Sequence, residues 1–407
     1  MRNIAWFIVP LLVSFSGISA ERTTATGKVV DAATNKPIEN ATVMVYSAGV
    51  KQGFSTFCPT CYVDCGKRAV TLADGTFSIP GLSGDLIFNL LVIREGYSTQ
   101  FINKVDPDKG AAKEAGLKTR TSPSDPAQVV LGKVVDGHGD PVRDALIEQQ
   151  GIIFEQGRSF GARDWIDLVA VSNSNGEFEM AYSKPAKSMI LQVAPRGMAA
   201  KLATLPTGAD RKAITVTDGA TIRGRLMENG KPMANVELGL TTHTRMSGKI
   251  LAEIRIGTNE KGEFAITNVP PGRVWYLHGK MDSLASRNLA AEIIECATKD
   301  DGQEVNLGDI AVRPAYTLRG TIVLSDGKPA PPNMRVMLYA DHVPDFQSLM
   351  LAADGSFEFK GVAKGVYSLS PNVRGYQTVD GEPGIEILVE GNVTNMRVML
   401  RPTDARR

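Results

Sequence analysis

The feature that most constrains this chain is a repeat. The same two-part pattern returns four times at intervals of roughly 95 residues, the size of one small β-sandwich. Each repeat opens on a segment centred on a glycine: Gly27, Gly132, Gly224 and Gly320. Two residues either side stand Ala25 and Val29, Val130 and Val134, Ile222 and Leu226, and Leu318 and Ile322. The immediate neighbours are mostly polar, Leu131 being the exception. Apolar at ±2 and polar at ±1 is the alternation of a half-buried strand. A glycine on its inward face marks a bulge or a close backbone approach.

Eight to ten residues on, each repeat reaches a proline (Pro37, Pro141, Pro232, Pro329) and then a second alternating run such as Ala41, Val43 and Val45. Proline presets φ for a turn and cannot donate to a central ladder, so it belongs at that junction. The most recognisable block follows: Asp74-Gly75-Thr76-Phe77, Asn175-Gly176-Glu177-Phe178, Lys261-Gly262-Glu263-Phe264 and Asp354-Gly355-Ser356-Phe357. The glycine supplies the positive φ of a tight hairpin turn, and Phe begins the returning strand. Gly96-Tyr97 and Gly375-Tyr376 close the first and fourth repeats. The pattern predicts an all-β chain of four tandem antiparallel β-sandwich domains: 1–20 leader, 21–122, 123–216, 217–314 and 315–407.

The succession Gly-x-Val-x-Asp, Pro-x-x-x-Ala-x-Val, Asp-Gly-x-Phe-x-Ile-x-x-Leu and Gly-Tyr resembles the carboxypeptidase regulatory-like domain. That module is a transthyretin-like sandwich, an accessory to some metallocarboxypeptidases that also recurs in bacterial surface and secreted proteins. The resemblance covers nearly all of the chain after its leader and is closest from Gly262 to Tyr276. It implies a fold and no catalytic activity.

Aligning the strands places the longest insertion of each repeat between its second strand and its Asp-Gly hairpin: about 48–70, 149–168, 241–255 and 341–349. Such loops project from equivalent ends of stacked units and are expected to carry binding, although tolerated insertion is equally a reading of their length. The first holds Cys58, Cys61, Tyr62 and Cys65, and Cys296 is the fourth cysteine. Three readings stay open: disulfides, Cys61 with Cys65 and Cys58 with Cys296; three thiolates on a metal; and a redox Cys58–Cys61 pair. The second loop holds Arg163-Asp164-Trp165, an exposed aromatic in a binding loop; Trp275 lies on a strand and reads as core.

Nothing else suggests chemistry. His138, His243, His278 and His342 fall at unrelated places in the pattern and read as surface or turn residues. No His-x-x-Glu pair, nucleophile elbow or phosphate loop appears. Asp74 and Asp354 read as turn formers rather than calcium ligands. Neither a cofactor nor an enzyme is expected. Arg2, the apolar run from Ile4 to Phe15 and the small residues before Glu21 form a secretory leader, too short to span a bilayer as a cleaved-free helix of roughly 20 residues. Export to periplasm or medium is the expectation, with no further transmembrane helix. Net charge is +1 with both signs interspersed, which gives nucleic acid no basic stripe. The expected role is a non-catalytic module that binds a protein or carbohydrate ligand. The alternatives are a carbohydrate- or peptide-active enzyme, or its accessory subunit, with a site between repeats, and a ligand-free spacer. The stretch from Asp106 to Gln128 reads as the longest and freest connector.

Overall fold

The computed structural model describes residues 22–52, 59, 62, 64–112, 114–160, 165–242, 253–341 and 343–403. The leader lies outside them. In every unit the glycine strand occupies the centre of one sheet. Arg22–Asp31 runs between Thr76–Ser83 and Ala115–Leu117, and Val129–Val135 between Glu177–Ala181 and Lys212–Thr215. Ala220–Glu228 has Glu263–Val269 and Glu304–Pro314 as neighbours; Tyr316–Leu324 has Ser356–Val362 and Val393–Pro402. A second, antiparallel sheet covers each, built in the first unit from Arg68–Val70, Thr42–Val50, Leu86–Ile93 and Gln100–Val105. The chain is therefore all-β, with paired sheets around four buried clusters. Among the described residues no helix is long and apolar enough to cross a membrane.

The repeat motif is a packing motif. Hairpin register sets Gly27 opposite Phe77, Gly132 opposite Phe178, Gly224 opposite Phe264 and Gly320 opposite Phe357. Each phenyl ring lies across its glycine, so a Cβ added at Gly27, Gly224 or Gly320 would come within 2.6–2.8 Å of a ring carbon. The close approach expected at these glycines is thus made by an aromatic ring. At the hairpins, Gly75, Gly176, Gly262 and Gly355 have φ between 71° and 80°. Their carbonyls accept from Val29, Val134, Leu226 and Ile322 at 2.8–2.9 Å, pinning the turn to the glycine strand.

Two features were not visible in the sequence pattern. The last strand of each unit pairs parallel with the glycine strand, as Val29–Asp31 does with Ala115–Leu117. A crossover from the facing sheet delivers it, and only three residues carry the pairing in the first unit. A buried hydroxyl also clasps the turn after the proline in three units: Thr71, Ser172 and Thr258 each donate to a carbonyl and accept from a backbone N–H there.

The segment expected to be a free connector is not one. Asp106 caps the short helix Pro107–Lys109, and Ala115–Leu117 is the closing strand of the first unit. Farther on, the Arg120 guanidinium donates to both carboxylate oxygens of Asp167, at 3.0 and 2.7 Å, and to Glu179 at 2.9 Å. Those hydrogen bonds to Asp167, against the cost of burial, hold the guanidinium above its ordinary value. Arg120→Ala is expected to lose about 2 kcal/mol, the scale of hydrogen bonds to a charged group. Urea unfolding checks the loss, and limited proteolysis should then find a cleavable site between 118 and 128 that the parent protein hides.

Every junction is packed. Met44, Leu91 and Ile93 of the first unit meet Leu146 and Val169 of the second in a cluster of their own. Asn268 donates from the third unit to the Gly197 carbonyl at 2.8 Å. Met281, on the short helix Met281–Ala285 of the third unit, belongs to the core of the fourth. The first unit also touches the fourth: Met337 and Phe346 join its core, and Arg335 donates to Asp85 across 250 residues of sequence at 3.0 Å.

Candidate functional site

Described residues of the first, third and fourth insertion loops lie between units. In the first loop Tyr62 is buried and meets Phe346 of the fourth unit edge-on, ring centroids 6.3 Å apart. Asp64, fully buried beside it, receives Lys67 at 2.7 Å, Arg22 at 3.5 Å and the Ser83 N–H at 2.9 Å. In the third loop Glu253 precedes strand Ile254–Gly257, and in the fourth Asp345 precedes strand Phe346–Met350. Loops of the first, third and fourth units thus converge at one place.

An ion network fills that place. Lys280 Nζ lies 3.2 Å from Glu253 Oε1 and 3.0 Å from Asp345 Oδ1, and donates to the Pro344 carbonyl at 3.2 Å. Arg255 donates to Glu253 Oε2 at 2.6 Å. Asp345 also accepts from the N–H groups of Met281 and Phe346, at 2.7 and 3.0 Å, so it caps the third unit's short helix from the fourth unit. Lys280, Glu253 and Asp345 are each 3% exposed at their side chains, so the charges interact with little solvent screening. Burial opposes ionisation of Glu253, but Lys280, with His278 and Arg255, outweighs it and holds the carboxyl well below the usual range. Burial likewise works against the Lys280 ammonium, and Asp345 and Glu253 hold it above its ordinary value. His278 places Nε2 3.0 Å from Glu253 Oε1 without the alignment of a hydrogen bond, and its Nδ1 has no partner. This arrangement fixes two units against each other. Glu253 and Lys280 are each held in the charged form, which for Glu253 is the opposite of a carboxyl poised as a general acid.

Cavities lie at the junctions as well. One of about 420 Å³ separates the third and fourth units, beside the ion network. Another of about 290 Å³ separates the first and second, walled by Arg120, Asp167, Glu179 and Arg211. The repeat pattern points to neither, because two successive repeats contribute the walls of each.

Several expected site residues find other places. Trp165 is half-buried and packs edge-on against Tyr182 at 5.1 Å, so it is no open aromatic platform. Arg163 and Asp164 lie outside the described residues. Tyr62 is core rather than a free loop residue. Cys58 and Cys61 also lie outside the described residues; Cys65 Sγ approaches the Pro59 carbonyl at 3.4 Å. Cys296 carries a free thiol walled into the third unit's core, which corrects the expected bridge to Cys58. Burial, with Glu295 adding to it, pushes that thiol up to about 11. A thiol reagent at pH 8 is therefore expected to label Cys296 only as the third unit unfolds; labelling within seconds of mixing would contradict the placement. His138 is an exposed turn residue, as expected, whereas His278 is buried. His243 and His342 lie outside the described residues. Asp74 and Asp354 accept from Thr76 and Ser356 in their turns. Trp275 is fully buried.

Comparison with known proteins adds little. No family model matches the chain, and no curated protein matches it. Similar solved structures include the Bacillus anthracis TIE protein, at 10% identity and a TM-score of 0.20, covering 94% of this chain and 75% of that one. A streptococcal ancillary pilin is 12% identical at a TM-score of 0.24, covering 68% of this chain and 99% of its own. BcpA, the major pilin subunit of Bacillus cereus, is 11% identical at 0.20, covering 72% and 100%. Likenesses this faint decide nothing about function.

Proposed function

We propose that this chain is an exported, non-catalytic binding or structural module. It would consist of four carboxypeptidase regulatory-like sandwiches with limits near residues 122, 216 and 314, and would bind a protein or carbohydrate through the surface where its loops meet. The observation that carries this reading is the convergence of the first, third and fourth loops at Tyr62, Glu253 and Asp345, which lie in three different units. Rigid sheets hold the loop bases, so a partner would meet one composite surface in a fixed arrangement rather than four separate loops. A site between repeats is the rival favoured by the cavity at the third junction.

The test uses the purified protein beside a variant in which residues 53–58 are replaced by Gly and Ser. Both are offered to a glycan array and to the native extracytoplasmic extract. The proposal expects saturable capture of a defined glycan or protein by the parent, lost in the variant while the melting temperature holds. Capture that survives the replacement, or turnover of a glycan or peptide by the purified protein, would overturn it.

A further inference from the structure

We infer that a small cleft between the first and second units, lined by Arg68 and Arg196, binds a tetrahedral oxoanion of the phosphate and sulfate class. The site lies at a different junction from the loop surface proposed above and does not depend on it. Arg68 sits on strand Arg68–Val70 of the first unit, opposite Met44 in the antiparallel ladder. Directly opposed residues share one face of a sheet, and Met44 belongs to the cluster packed against the second unit. Arg68 is therefore turned toward that unit. From the other side, Ala194 pairs with Leu146 of the same cluster, and Arg196 follows two residues on. The two arginines line a cleft of about 70 Å³ together with Thr42, Asp144 and Leu146.

The two guanidiniums are close enough for the charge of one to act on the other. Partial burial and the like charge of Arg196 hold Arg68 below its ordinary value, and Glu148 offsets this only in part. Among the described residues neither side chain has an ion pair or a hydrogen bond. Nearby arginines differ in this respect. Arg143 holds Asp144, the carboxylate in the lining, at 3.0 Å, and Arg120 holds Asp167 and Glu179. The cleft thus brings together two positive charges that no described carboxylate pairs with. Each guanidinium presents a planar fork of N–H donors, which matches two oxygens of a phosphate or sulfate. The volume is enough for several waters, and so for one such ion. Both residues keep an exposed edge, so the ion enters from solvent. Seated between them, it replaces a repulsion across the junction with two attractions and ties the first unit to the second.

The probes are inorganic phosphate and sulfate, titrated calorimetrically into the full-length protein in dilute chloride buffer. Saturable binding at a single site is expected for both. Arg68→Gln and Arg196→Gln should each weaken it about tenfold or more, the scale of a hydrogen bond to a charged group. Arg313→Gln removes the same unit of charge from an exposed arginine paired with Glu292 in the third unit, and should leave binding unchanged. A second readout needs no ligand. Without phosphate, Arg196→Gln should leave the urea midpoint level or raise it, because Arg68 loses a like-charged neighbour. Saturating phosphate should then raise the midpoint of the parent protein and not that of the variant. Absence of saturable binding, an equal loss in all three variants, or a midpoint lowered by Arg196→Gln in phosphate-free buffer would each overturn the assignment.

Discussion

Replacing Lys280 with methionine is expected to cost about 3–5 kcal/mol, the usual penalty for leaving a buried charge without its partner. Lys280 stands between two buried carboxylates, Glu253 and Asp345, that belong to different units. Without the ammonium, Asp345 keeps only its two backbone donors, and Glu253 keeps Arg255. The loss should appear in urea unfolding as a lowered midpoint for the third and fourth units together. Converting Lys280, Glu253 and Asp345 jointly to apolar residues of similar volume should recover much of the loss, because no charge is then stranded. A midpoint unmoved by Lys280→Met would show that the network is solvated. The pH dependence follows from the same contacts. Glu253 has a folded-state value below its unfolded one, so its contribution is present above about pH 4.5 and fades as pH falls toward the folded value. Lys280 has a raised value, so its contribution is complete below about pH 10.4 and fades only in stronger alkali. The Glu253 contribution should therefore stay level across neutral pH and fall on the acid side, as the difference in urea midpoint between the parent and Glu253→Gln, followed across pH, would show.

The second large effect concerns the glycine and phenylalanine of the repeat. Phe178→Ala should cost about 3–5 kcal/mol, as removal of a buried ring does. Gly132→Val should cost about 1–3 kcal/mol, since the new side chain enters space the ring already fills. Made together, the two should cost less than their sum by roughly 1–2 kcal/mol, because the valine occupies part of the vacated volume. Simple additivity in the double-mutant cycle, read from urea unfolding, would mean that the two side chains do not share that space. The same cycle at Gly27 and Phe77 should agree in sign, because the pairing and the ring placement are the same.

That pairing is also what made the fold legible. A positive-φ glycine in the turn and a ring that must rest on a side-chain-free strand are local demands, so they recur in the sequence at fixed spacing. The first strand, the turn and the returning strand could be read off directly for this reason. In the first unit the closing parallel strand was hidden because its pairing covers only Ala115, Gly116 and Leu117, too short for an alternation to register. The segment around it looked like a connector for the same reason.

The candidate site was far less legible. Its ion network joins Glu253, Lys280 and Asp345, and its edges join Tyr62 to Phe346 and Asp85 to Arg335. Contacts between repeats leave no period in a single sequence, and loops differ from one repeat to the next because each meets a different neighbour. Trp165 reads from the sequence as an exposed aromatic and Tyr62 as a binding-loop residue, yet loop length says nothing of which face is covered. His278 looked ordinary for a similar reason: its strand position gave its burial no special meaning until Glu253 and the cavity were placed beside it.

Loops and strand faces together tie the four sandwiches into one body, with the first unit held against the fourth. Small-angle X-ray scattering of the purified protein tests this most directly. A chain packed through all of its junctions should give a radius of gyration of about 21 Å, the value for one compact particle of this length. A value near twice that, with the scattering of beads on a string, would mean that the units do not close on one another and that no composite loop surface exists.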